Sequence, residues 1–212
     1  MFRFMIFNIP VCVQPWFWLV LGLLGGGFRA DSRQEIFHVV FFIVAGFVSV
    51  LVHELGHALT AQHFGKRPEI VLQAFGGYAT YNNAVPLSRK RSLMVTAAGP
   101  GIQIILGLIA LALLRSLPAM DPNLKYFLVV LTAISLIWAV LNLLPILPMD
   151  GGRLVETALG PENRRTALLI SAITGVVVCI ISITVLNQPI LAIFVGMFAF
   201  QSFKALKEPT WR

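Results

Sequence analysis

Long apolar runs broken by short polar punctuation dominate this chain. Runs from Val11 to Phe28, Ile36 to His63, Leu93 to Leu114 and Tyr126 to Leu144 are long enough to cross a hydrocarbon core of roughly 30 Å. Two more, Thr166 to Leu186 and Ile190 to Phe203, flank Asn187-Gln188-Pro189, and the last is short. That pair reads as a tight helical hairpin or an incomplete re-entrant pair. The pattern predicts an all-α polytopic membrane protein of about six transmembrane helices. The connection from Phe64 to Ser92 breaks it, because Ile70 to Tyr81 reads as two short strands around a glycine turn. A small β-hairpin or membrane-associated sheet is therefore predicted after the second helix. With no repeat, no low-complexity tract and no long polar stretch, residues 1–212 read as a single transmembrane domain.

Composition agrees: 58% of residues are hydrophobic and 12% charged, outside the range of soluble domains. A net charge of +7 raises the question of nucleic acid, and the distribution of charge answers it. With six spans, twelve of the sixteen Lys and Arg fall on the side of the N-terminus, from Arg3 through Lys66 and Arg67 to Arg212, and only Arg29, Arg33, Arg115 and Lys125 on the other. That asymmetry puts both termini in the cytoplasm of an integral, multi-pass protein, read as one of a prokaryotic cell membrane, with no nucleic-acid partner. Trp16 and Trp18 beside Pro10 and Pro15 read as an interfacial anchor leading into a retained helix rather than a cleaved signal. Cys12 and Cys179 form no CxxC pair and read as packing residues.

The chemistry lies in the second run, at His53-Glu54-Leu55-Gly56-His57. Residues i and i+4 of a helix share a face, so both imidazoles can address one metal ion, with Glu54 beside it. The donors suit zinc, which keeps one position open for water in catalytic sites. A carboxylate inside a bilayer span is costly, which makes an intramembrane Glu a functional residue by default.

Two histidines need a third ligand at the same depth. Counted from Ile36, a rise of 1.5 Å per residue puts His53 roughly 26 Å and His57 roughly 32 Å along the helix, toward the cytoplasmic side. Of the three aspartates, Asp31 and Asp121 fall in outer loops, whereas Asp150 follows the cytoplasmic end of the fourth run. Pro145 and Pro148 interrupt the helix there, and Gly151-Gly152 permit a sharp turn. Glu156 and Glu162 are weaker candidates beyond that turn. His38 and His63 read as interfacial residues at the ends of their helix.

HELGH on an apolar helix, together with Asn142-Leu143-Leu144-Pro145-Ile146-Leu147-Pro148-Met149-Asp150-Gly151-Gly152, resembles the site-2 protease family of intramembrane zinc metalloproteases. The resemblance covers roughly residues 10 to 160 and implies a short form without a PDZ or CBS module. It implies one Zn2+ per chain, Asp150 as third ligand and Asn142 beside it, where Asn142 reads as a substrate-binding residue that holds the substrate backbone or stabilises the oxyanion. Ala98-Gly99-Pro100 also resembles a family motif, but Gln103 stands where the family often has asparagine, and no role is assigned to it. A membrane-associated sheet is implied as well, with Gly76 and Gly77 near a free strand edge able to pair with an extended substrate. Membrane-anchored proteins, cut near the cytoplasmic face within the lipid bilayer, are the expected substrates. The rival readings are a catalytically inactive relative, a metal-dependent transporter, or a zincin with a glutamate ligand. A transporter should show paired broken helices in two halves, which this chain lacks.

Overall fold

A computed structural model describes residues 1–81, 86–117 and 120–207; Arg212, counted above among the N-terminal-side charges, lies outside them. The fold is mostly helical with one small four-stranded sheet. Among the described residues, five helices are long and apolar enough to cross a membrane: α2 (Arg33–His63), α3 (Arg89–Ser116), α4 (Pro122–Asn142), α6 (Arg164–Thr184) and α7 (Pro189–Lys207). The chain is an integral membrane protein. It forms two compact units, Met1–Leu87 with Ala97–Ala139 and Ser88–Thr96 with Val140–Arg212.

The first unit corrects the expectation for the first apolar run. Instead of one helix from Val11 to Phe28, strands β1 (Phe2–Ile6) and β2 (Ile9–Val13) precede a ten-residue helix α1 (Pro15–Leu24). The cause is local. Pro15 has no N–H to lose at the first helical turn and so starts α1 there, while Ile9, Val11 and Val13 alternate onto the buried face of a strand. Phe7 and Asn8, both at positive φ, turn β1 back onto β2.

Strands β3 (Pro68–Gln73) and β4 (Gly76–Tyr81) form the predicted hairpin, which extends into a sheet of order β1-β2-β3-β4, with β2 and β3 parallel and the outer pairs antiparallel. The inward residues Ile9, Val11, Val13, Ile70 and Leu72 pack with Phe17, Val50, Leu51 and Ala58, so the sheet lies against the part of α2 that carries HELGH. Since β1 and β2 share this core, the N-terminal residues are an integral layer of the unit.

Helix α2 starts at a capping box, in which the Ser32 hydroxyl accepts the Glu35 N–H and the Glu35 carboxylate accepts the Ser32 N–H. Its 31 residues extend roughly 46 Å at 1.5 Å per residue. On the predicted outer end, His38 stacks on Tyr126 at 3.9 Å between ring centroids.

In the second unit, α6 and α7 form the predicted hairpin: Ser171 bonds Ser202 at 2.7 Å, and a Cβ on Gly175 would meet Ala199. This hairpin holds the segment before Asp150. The Ser171 hydroxyl accepts the Leu147 N–H at 2.8 Å, and Ile146 and Met149 pack with Val195, Val178 and Phe198. Helix α5 (Asp150–Leu159) follows directly.

Candidate active site

Three helix positions and one strand position meet in the first unit. His53 and His57, one turn apart on α2, present their Nε2 atoms to each other at 3.1 Å. At that distance one ring can donate its N–H to the other, or both lone pairs can face one cation. Two nitrogens bound tetrahedrally at 2.0 to 2.1 Å from zinc would be about 3.3 to 3.4 Å apart, so the pair fits the metal that the motif predicted. His53 and Glu54 are 5% and 4% exposed, which removes bulk water as their main hydrogen-bonding partner.

Glycines shape the surroundings. A Cβ on Gly99 would run into the His57 imidazole, and a Cβ on Gly56 would meet the Ala98 carbonyl at 2.5 Å. Helices α2 and α3 therefore cross nearly backbone to backbone, the approach that small residues permit inside membranes. Gly77, at the start of β4, leaves room for Glu54: its Cβ would sit 2.7 Å from Glu54 Cγ and 2.9 Å from Oε1. Gly76, with φ 128°, faces Trp138. Strand β4 has no strand beyond it among the described residues.

The first unit also holds a residue to which the sequence assigned no role. Gln103 is fully buried, and its Oε1 lies 2.9 Å from His53 Nδ1, within hydrogen-bond distance. The signal available in the sequence was an amide inside an apolar helix, four residues after Gly99 and so on the same face.

The second unit carries Asn142, at the end of α4, and Asp150, 8% exposed at the first position of α5. A carboxylate is favoured there by the partial positive charge of the helix start. Gly151 and Gly152 leave no alternative residue: a Cβ on the first would overlap the Leu143 and Leu144 carbonyls, and on the second the backbone at Ile146 and Leu147. Asp121 and Glu156 are engaged elsewhere. The Asp121 carboxylate accepts the Asn123 and Leu124 N–H groups at the start of α4, and Glu156 pairs with Arg164 at 3.3 Å.

Comparison with known proteins gives a consistent picture. A family described as "Putative zincin peptidase" matches residues 46–148, and "Peptidase family M50" matches residues 116–183. A zinc metalloprotease of Methanocaldococcus jannaschii is 29% identical, over 93% of this chain and 57% of its own length. The chain thus spans little more than half of that relative. The protein named "Putative zinc metalloprotease Rip2" of Mycobacterium tuberculosis is 31% identical, over 69% of this chain and 72% of its own length. A solved structure, "Site-2 Protease from Methanocaldococcus jannaschii", superposes with a TM-score of 0.65 at 26% identity, covering 100% of this chain and 97% of that one. Two imidazoles spaced for one ion, a buried glutamate beside them and these relatives lead to one assignment: the chain belongs to the site-2 protease family of zinc metalloproteases, peptidase family M50.

Proposed function

We propose that this protein is an intramembrane zinc endopeptidase that cuts membrane-anchored proteins in or near their transmembrane segments. Residues 1–212 work as one catalytic domain. The observation that carries the reading is the His53 and His57 Nε2 pair at 3.1 Å with the buried Glu54 carboxylate on the same helical turn.

In this reading His53, His57 and Asp150 hold one zinc ion. Two neutral imidazoles and one carboxylate leave a coordination position open and give the site a net positive charge. When bound, zinc supplies Lewis acidity for the scissile carbonyl and a water whose pKa falls from 15.7 toward ~7. Glu54 takes the proton of the attacking water and then delivers it to the leaving amine, acting as base and afterwards as acid. Gly77 keeps β4 close enough for a substrate strand to reach Glu54.

A transmembrane substrate must first expose a carbonyl, because its helix satisfies its own backbone groups. Strand β4 offers the means: an unwound segment adds to its outer edge at Gly76 and Gly77 by strand pairing. Asn142 then holds the substrate backbone through its side-chain amide. Lys66 and Arg67 after α2, with Arg89, Lys90 and Arg91 at the start of α3, support a cytoplasmic position for the HELGH end of α2 and a cut near that face. The sheet is consistent with it, since β1 and β2 join Arg3 to the same layer as the strands after Lys66 and Arg67.

Zinc content tests the ligand set. After purification in detergent and removal of loose metal, Asp150→Ala is expected to lose its zinc, while Asp121→Ala, which removes only a helix cap, retains it. Equal retention by both variants would remove Asp150 from the site.

A further inference from the structure

The buried polar groups of α2, α3 and α4 form a chain that ends on His53. Ser135 on α4 donates to the Ser49 hydroxyl at 3.0 Å, and Gln103 Nε2 on α3 donates to the same hydroxyl at 2.9 Å. Gln103 Oε1 then receives His53 Nδ1 at 2.9 Å. Ser49, Gln103 and Ser135 are each 0% exposed. Ser49 and His53 lie one turn apart on α2, so one glutamine bridges both.

This connectivity has a direction. The Gln103 amide nitrogen also faces the Ser49 backbone carbonyl at 3.5 Å, a group that can only accept. With the nitrogen on that side, the amide oxygen faces His53, and an amide oxygen can only accept too. The proton on His53 therefore resides on Nδ1, and the lone pair resides on Nε2, the atom that faces His57.

We infer that Gln103 is a positioning residue that fixes the tautomer and ring orientation of His53, with the Ser49 and Ser135 hydroxyls fixing the orientation of Gln103 itself. The inference rests on the reading of His53 as a metal ligand and names the group that prepares it. Metal-binding histidines commonly donate their second ring nitrogen to an acceptor, and loss of that acceptor costs about 10- to 100-fold in metal affinity. Here an uncharged amide takes the place of the usual carboxylate or carbonyl, which avoids a second buried acid in the span.

The test uses the full-length protein in detergent, with zinc affinity measured by chelator competition. Gln103→Met keeps the length and removes the acceptor, and is expected to weaken zinc binding by about 10- to 100-fold. Gln103→Glu keeps an acceptor for the imidazole but loses the donor to Ser49, and is expected to bind zinc more tightly than Gln103→Met and more weakly than native. A merely structural role would make both variants fail together. Histidine nitrogen NMR of the zinc-free native protein, which needs no variant, is expected to show His53 protonated on Nδ1. The inference is overturned if Gln103→Met binds zinc as tightly as native, if Gln103→Glu falls as far as Gln103→Met, or if His53 carries its proton on Nε2. His53→Ala separates the two levels of the argument. Native affinity in that variant refutes the metal site itself, whereas its loss beside a native-like Gln103→Met refutes only the role of Gln103.

Discussion

Glu54→Gln is expected to keep its zinc and to lose cleavage by at least about 10²- to 10⁴-fold, the usual contribution of a general base and acid. The substitution preserves size, which is decisive in this location. The glutamate side chain is 4% exposed and lies against Gly77 so closely that no Cβ fits between them. An amide occupies the same space but cannot take a proton from water. Zinc should stay because the proposed ligand set does not include Glu54. The check is a turnover assay on a reconstituted membrane-anchored substrate, alongside zinc content. A native rate in Glu54→Gln would remove Glu54 from the chemistry.

Gly99→Val is expected to weaken zinc binding by about 10- to 100-fold through a steric route. Overpacking typically costs 1–3 kcal/mol, and 1.4 kcal/mol is a factor of ten. A side chain at Gly99 would occupy the space of the His57 imidazole. A retreat of helix α3 would give up the close crossing at Gly56, where only the absence of a Cβ leaves room for the Ala98 carbonyl. The imidazole must therefore move and leave the geometry that pairs it with His53. Gly101→Val is the control on the same helix, since a Cβ there meets nothing within 4 Å. Chelator competition should separate the two variants clearly. Equal affinities would show that the crossing yields and that His57 is not held by it.

The parts of this account legible in the sequence were those with local signatures. HELGH announces itself through i, i+4 spacing and an acid in an apolar helix, and the hairpin of β3 and β4 through its strand-forming residues and glycines. The short last run and Asn187-Gln188-Pro189 left a hairpin and an incomplete re-entrant pair open, and the structure forms the hairpin through Ser171, Ser202 and Gly175.

What escaped depends on partners far along the chain. Strand β2 is buried in the middle of a sheet, and a short buried strand is as apolar as a membrane span, so Val11 to Phe28 read as one helix. The turn between β1 and β2 uses Phe7-Asn8, which lacks the glycine that usually marks such hairpins. Gln103 meets His53 across 50 positions of sequence, a contact created only by the packing of α3 on α2. Gly56 and Gly99 likewise read as ordinary helix glycines until the crossing of α2 and α3 shows what they make room for.

The central claim is metal-dependent cutting of a peptide bond within reach of the membrane, and one measurement addresses it directly. The native protein is reconstituted with a model membrane-anchored substrate in lipid vesicles, stripped of metal by a chelator, then resupplied with zinc, and the new chain ends are mapped by mass spectrometry. The account predicts that cleavage stops with the chelator, returns with zinc, and generates ends in or beside the transmembrane segment toward its cytoplasmic end. Cleavage that persists in the stripped protein, or ends confined to soluble loops far from the bilayer, would contradict it.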